Sequence, residues 1–309
     1  MAGLDDWTFR TAPNNKYYPS VVFGGGQFVA VSSTTGAPAG TQIMTSPNGI
    51  TWTGQNAPQL LQWVSVTYGN GIYLACSQSG TLAARAMISS DGVNWVMSNP
   101  GAVVWLRAGF GGGVFVVLGQ SNGAYTTDGT TWGAGTGVPN INWQGMAFAN
   151  GRFVAVGSNG GLLTSTNGIN WTQLTTPNTN NWYAVAYGNN IWTSLANTTT
   201  NGTNLMTSTD GVTWTGQPAI ANVQWFGMTF GSGVFVATAI AGAADQRRIA
   251  TSEDGINWTL RTTIGDFYGF PGVAFGNNRF VATGNGNTTM STTDEIIAAA
   301  PKGMAAFMA

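Results

Sequence analysis

One short stretch returns along the chain at nearly even intervals. Its clearest form is Ser89-Ser90-Asp91-Gly92-Val93-Asn94-Trp95. Further copies run from Ser46 to Trp52, Thr126 to Trp132, Ser165 to Trp171, Ser208 to Trp214 and Ser252 to Trp258, which makes six full copies. Successive motif tryptophans stand 43, 37, 39, 43 and 44 residues apart. That period holds four short strands, and internal repeats of this length mark a radial or solenoid array rather than a single globular core.

Each repeat opens with a strand such as Trp63 to Tyr68, turns at Gly69-Asn70-Gly71 and returns through Ile72 to Cys76. Asn-Gly between two alternating apolar runs is the strongest short hairpin signal, because a type I′ turn needs positive φ at both central residues. Counting Gly24-Gly25-Gly26, Gly111-Gly112-Gly113, Ala149-Asn150-Gly151, Gly188-Asn189-Asn190, Gly231-Ser232-Gly233 and Gly276-Asn277-Asn278, there are seven such turns. After a connection of variable length comes a third strand, for example Leu205 to Ser208. The Asp-Gly turn should then reverse the chain as a two-residue hairpin into a fourth strand carrying the Trp. The expected fold is all-β, a seven-bladed β-propeller of four-stranded antiparallel blades.

The last repeat runs from Thr289-Met290-Ser291-Thr292 into Thr293-Asp294 with Glu295 in place of Gly, and no Trp follows. Its missing strand matches Asp5-Asp6-Trp7-Thr8 at the other end of the chain. Residues 4–10 are therefore expected to complete the last blade and close the ring, removing exposed sheet edges. The domain reading is 1–294 for the propeller and 295–309 for a C-terminal tail rich in Ala and Met. The tail reads either as a short helix or irregular end, or as an anchor that docks on another protein.

Charged residues make up only 7% of the chain, 10 basic against 11 acidic. Average soluble proteins carry roughly 25%. A near-neutral chain has no field to attract phosphate backbones, so nucleic acid is not an expected partner. The 309 residues contain no His and one Cys, Cys76. An intrachain disulfide and a cysteine metal cluster are thereby excluded, and so are the commonest general base and metal ligand. No metal and no cofactor is expected. The first residues lack the basic and apolar regions of a secretory signal, and membrane insertion is not expected because no segment approaches ~20 consecutive apolar residues.

The run Ser-x-Asp-Gly-x-x-Trp after an apolar strand resembles the Asp-box, or BNR-type, repeat of sialidase-like β-propellers, over nearly the whole chain. The family motif places one residue between Asp and Gly, whereas Asp91-Gly92 and its equivalents have none. The resemblance implies a structural role for Asn48, Asp91, Asp128, Asn167, Asp210, Asp254 and Asp294 at the turn. Low-charge sequences rich in Gly, Thr, Asn and Trp are also similar to bacteriophage virion proteins, including tail, fibre and capsid decoration components.

Function is expected on the face with the variable connections (Ser33 to Gly40, Gln78 to Arg85, Asn197 to Asn204 and Ala241 to Arg248), since binding residues sit disproportionately on loops held by a rigid scaffold. An aromatic stands near the start of every innermost strand: Tyr18, Trp63, Trp105, Trp143, Trp182, Trp225 and Phe270. These rings either pack between blades or form a collar on which sugar rings stack. Two residues on come Ser20, Ser65, Arg107, Gly145, Ala184, Gly227 and Gly272, mostly small. Arg85, Asp245, Arg247 and Arg248 lie on variable-face connections and complete the candidate ligand-binding set. Catalytic residues are expected to be none: most acids sit at the repeated turn, leaving Asp245 and Asp266 as the least implausible pair for glycoside hydrolysis.

The functional expectation is a non-enzymatic bacteriophage virion protein on the particle surface. It would attach to a host-surface glycan or to other virion proteins, the latter through 295–309. The alternatives are a soluble lectin-like propeller and a degenerate sialidase-like hydrolase.

Overall fold

The computed structural model describes residues 7–35, 41–80, 84–101, 103–200, 202–221, 223–241, 249–261, 269–284 and 288–292. Twenty-eight strands pair into seven four-stranded antiparallel sheets, here blades I to VII in chain order. Blade II shows the pattern: an inner strand Trp63–Gly69, then Ile72–Ser77, Ala86–Ser89 and an outer strand Val96–Ser98. Blade VII is built from both chain ends. Trp7–Thr11 pairs antiparallel with Thr288–Thr292, Trp7 opposite Thr292 and Thr11 opposite Thr288. The closing strand thus runs one residue beyond the expected 4–10; residues 4–6, Asp294 and the tail 295–309 lie outside the described residues.

There is no single core. Seven apolar clusters alternate with the seven sheets, each filled from two adjacent blades. Trp7, for instance, is 1% exposed and packs with Val234, Val236 and Ile249 of blade VI and Phe280 of blade VII. Cys76 is one of these small apolar fillers, between blades II and III, and burial pushes its thiol up to about 12.

Each first hairpin makes the type I′ turn read from the sequence: φ is 46° at Asn70 and 75° at Gly71, and 46° and 52° at Asn277 and Asn278. The aromatics flanking these turns pair across the hairpin, as in Phe148 with Phe153 at 4.6 Å between centroids.

The repeated Asp-Gly turn departs from the expected two-residue hairpin. Six residues separate the strands Ala86–Ser89 and Val96–Ser98, and Trp95 is the last of these rather than a strand residue. Side-chain hydrogen bonds replace the ladder. The N–H groups of Val93 and Asn94 donate to Asp91 Oδ1 at 2.9 and 2.7 Å, and Gly92 N–H donates to Ser89 Oγ at 2.9 Å. The Trp95 indole N–H then donates to the Gly92 carbonyl at 2.9 Å. Asn48 and Asn167 accept the same pair of amide bonds as the aspartates do. Glycine is required here twice over: Gly92 has φ 72°, and a Cβ on it would lie 2.9 Å from Val29 of blade I.

These bonds favour the ionised carboxylate, so the turn acids titrate low. The amides of Thr213 and Val212 hold Asp210 down to about 2. In Asp254 burial pushes upward and is outweighed by Asn257 and Ile256, again giving about 2. Asp91 and Asp128 lie lower still, held chiefly by the amides of Asn94 and Thr131.

Trp7→Ala should destabilise the protein by about 3–5 kcal/mol, the usual cost of emptying a large buried site, read as a lowered denaturant midpoint. The turn carboxylates bind fewer protons folded than unfolded, where Asp titrates near ~3.9. Their stabilisation is therefore complete above that pH and lost as pH falls toward about 2. Thermal midpoints measured between pH 5 and 2 should drop less steeply in the variant Asp91→Asn/Asp128→Asn/Asp210→Asn/Asp254→Asn than in the parent.

Candidate binding cavity on the propeller axis

The inner strands begin on the face that carries the variable connections, and five of them begin with the same irregularity. Trp63 pairs with Ser77 and Ser65 with Cys76, so Val64 is an extra residue without a partner. The register shifts in the same way around Leu106, Gln144, Tyr183 and Phe226. A bulge of this kind bends the strand and re-aims one side chain. In blades I and VII the position is held by Pro19 and Pro271, which have no N–H to give a ladder, and pairing starts at Ser20 and Gly272. All seven of these residues line one axial cavity of about 520 Å³.

The residues on either side of the bulge lock it in place. The preceding aromatics, Tyr18, Trp63, Trp105, Trp143, Trp182, Trp225 and Phe270, are at most 2% exposed and fill the clusters between blades. They form no collar for sugar stacking, because a ring sealed between two sheets has no face left for a ligand. Most of them accept a polar cost: the indole N–H groups of Trp105, Trp143, Trp182 and Trp225 have no hydrogen-bond partner. Tyr18 instead donates its hydroxyl to Asn14 Oδ1 at 2.6 Å, and burial pushes its phenol up to about 12.

The residue after each bulge faces the next blade. Val66 N–H donates to Ser20 Oγ at 3.1 Å, and Ala108 N–H to Ser65 Oγ at 3.0 Å. At Gly145 a Cβ would stand 2.7 Å from the Tyr183 carbonyl, so no side chain fits. Arg107 is the exception. Its guanidinium spans to blade IV, donating through Nε to the Gln144 carbonyl and through Nη2 to Gln144 Oε1 at 2.9 Å, with Nη1 on the Leu106 carbonyl at 2.6 Å.

Arg107 is the only charged side chain among the described residues lining the cavity; none of them is Asp, Glu or Lys. Burial lowers its pKa, partly opposed by the neighbouring Cys76, Tyr17 and Tyr183. Burial also raises the Tyr17 phenol, against the pull of Arg107. Tyr17 and Tyr183 line the same cavity as Arg107, and the Tyr183 ring rests on Phe226 at 4.2 Å between centroids. Ser33, Gln78 and Asn142 add polar groups at the wall. The site combines aromatic faces, amides and hydroxyls with one part-buried cation.

Ser33 and Gln78, which open two of the variable connections, line the cavity, whereas the charged loop residues named from the sequence do not reach it where they can be followed. Arg85 donates Nη2 to the Gly80 carbonyl of its own loop at 2.8 Å. Asp245, Arg247, Arg248 and Asp266 lie outside the described residues. The connection Asn197 to Asn204 is not a free loop: strands Ile191–Thr200 and Thr203–Ser208 pair again at Thr200 and Thr203, extending a hairpin from that face. A second cavity, of about 390 Å³, opens between blades II and III beside Trp132.

Tyr17, Leu106, Gln144, Tyr183 and Phe226 are site residues that the sequence does not single out. A signal for the bulge positions is nevertheless present. Between a constant aromatic and a mostly small residue, the intervening position varies as Pro, Val, Leu, Gln, Tyr, Phe and Pro around the ring.

No family model matches the chain, and no curated protein does. Solved structures match over nearly its whole length. YCF48 bound to a D1 peptide superposes with a TM-score of 0.71 at 13% identity, covering 94% of this chain and 95% of that one. Virginiamycin B lyase from Staphylococcus aureus gives 0.77 at 10% identity, covering 92% and 98%. The WD40 propeller domain of Doa1 gives 0.66 at 11% identity, covering 96% and 99%. At these identities the likeness is one of fold: the chain is a β-propeller.

Substitutions on the two sides of the bulge should separate cleanly. Trp143→Ala should cost about 3–5 kcal/mol in denaturant unfolding. Leu106→Trp, whose added ring enters the cavity rather than a packed cluster, should shift stability by about 1 kcal/mol or less.

Proposed function

We propose that the chain is a non-enzymatic recognition propeller that binds a small polar ligand in its axial cavity, on the face bearing the variable connections. The carrying observation is that five bulges and two prolines turn one side chain from every blade into the same cavity of about 520 Å³. That volume is within the range of ligand pockets. Glycoside hydrolysis ordinarily uses a pair of carboxyl groups, or a Tyr nucleophile assisted by a Glu and a further acid, and the described lining supplies no carboxyl group. Recognition without turnover is the reading this inventory supports. The low charge and the Gly-, Thr- and Asn-rich composition favour such a module at the surface of a bacteriophage particle, attached to host glycan or covering the particle; a soluble lectin would use the same site.

A broad glycan array tests the proposal, with the parent, Leu106→Trp and Arg85→Ala compared side by side. Saturable binding by the parent and Arg85→Ala that is lost in a folded Leu106→Trp variant is the expected result. Binding that survives Leu106→Trp unchanged would move the site off the axis.

A further inference from the structure

We infer that the axial cavity selects a carboxylate-bearing sugar, with Arg107 as the group that receives the carboxylate. The inference rests on the recognition reading above and adds the chemical class of the ligand. Arg107 occupies a position where six of the seven blades carry Ser, Ala or Gly, and its side chain therefore has no slot between blades to fill. It runs along the cavity wall instead, fixed by three acceptors: the Gln144 carbonyl, Gln144 Oε1 and the Leu106 carbonyl. A guanidinium has five N–H donors, so two remain after these bonds. All three acceptors are neutral, and no carboxylate stands among the described residues of the cavity. The cation is part-buried, and burial lowers its pKa. A part-buried charge without an opposite charge gives up hydration that only a partner would offset. An incoming carboxylate supplies both the missing charge and acceptors for the two remaining donors, and charge-assisted pairs of this kind are the strong ones.

The rest of the cavity suits the remainder of a sugar. Tyr183 lies against Phe226, and Tyr17 lines the same cavity, so aromatic rings share the wall with the cation. Ser33, Gln78 and Asn142 offer hydroxyl and amide groups that both donate and accept, as ring hydroxyls require. The lining has a single positive charge, which matches one carboxylate rather than a phosphate or a polyanion.

Calorimetric titration of the full chain with glucuronate, glucose and an N-acetylated dipeptide bearing a free C-terminal carboxylate tests the inference, in the parent, Arg107→Met, Arg107→Lys and Leu106→Trp. Glucuronate should bind the parent, and glucose about ten- to a hundred-fold more weakly, the span expected for one charge-assisted contact. Arg107→Met should remove the preference for glucuronate over glucose, and Arg107→Lys should restore part of it. Unchanged thermal midpoints in these variants separate this effect from loss of fold. Equal binding of glucuronate and glucose, both lost in Leu106→Trp, would overturn the carboxylate assignment and leave the cavity as the site. Preference for the dipeptide over glucuronate would overturn the sugar assignment. Absence of binding by any of the three would overturn the inference.

Discussion

A blade of this protein cannot stand alone, because both faces of its sheet are apolar and each is covered only by the neighbouring blade. Burial of apolar surface is the main favourable contribution to folding, and here it is distributed over seven clusters, none of which lies within a single blade. An open stack would leave two faces and two edges exposed. Joining Trp7–Thr11 to Thr288–Thr292 covers both at once, with Trp7 sealing the cluster between blades VI and VII. The long-range pairing carries an entropic cost of loop closure, but that cost grows only slowly with chain length.

The same requirement explains the two turns of each blade. The type I′ turn lets the first hairpin keep its twist, and the Asp-Gly turn fits its glycine against the preceding blade, as Gly92 does on Val29. Ser89 and Asp91 hold that glycine in position by accepting the amides around it. The repeated motif is therefore a contact between blades written into a local sequence. Its carboxylates hold turns together and contribute nothing to the lining of the axial cavity.

The axial cavity is the product of a conflict between two demands on the inner strand. The large ring near its start must point into the cluster between blades, and the next paired residue must be small enough to meet the neighbouring strand. One residue too many stands between them, and it is expelled toward the axis. The expelled residue lines the cavity rather than a cluster between blades, and it differs from repeat to repeat, from Val64 to Tyr183. Rigidity and variability thus meet at one position, as they do on binding loops carried by other scaffolds.

Most of the fold is legible in the sequence, since turn chemistry and the repeat period are local properties of the chain. Asn70-Gly71 announces its turn through φ values that such residues adopt readily, Asp91-Gly92 marks a turn but not its type, and the unmatched Trp7 announces the closing strand. The site is not legible in the same way. An aromatic at every strand start is compatible with an exposed collar or a sealed packing layer, and local sequence does not distinguish them. Register decides the matter: one bulge places Trp143 inside and Gln144 on the axis, and a bulge is visible only once the partner strand is in place. Arg107 stands out in the sequence as the one charge on an inner strand. Its significance comes only when tertiary structure sets it beside Gln144, Tyr17 and Tyr183, residues that the chain keeps 37 or more positions away from it.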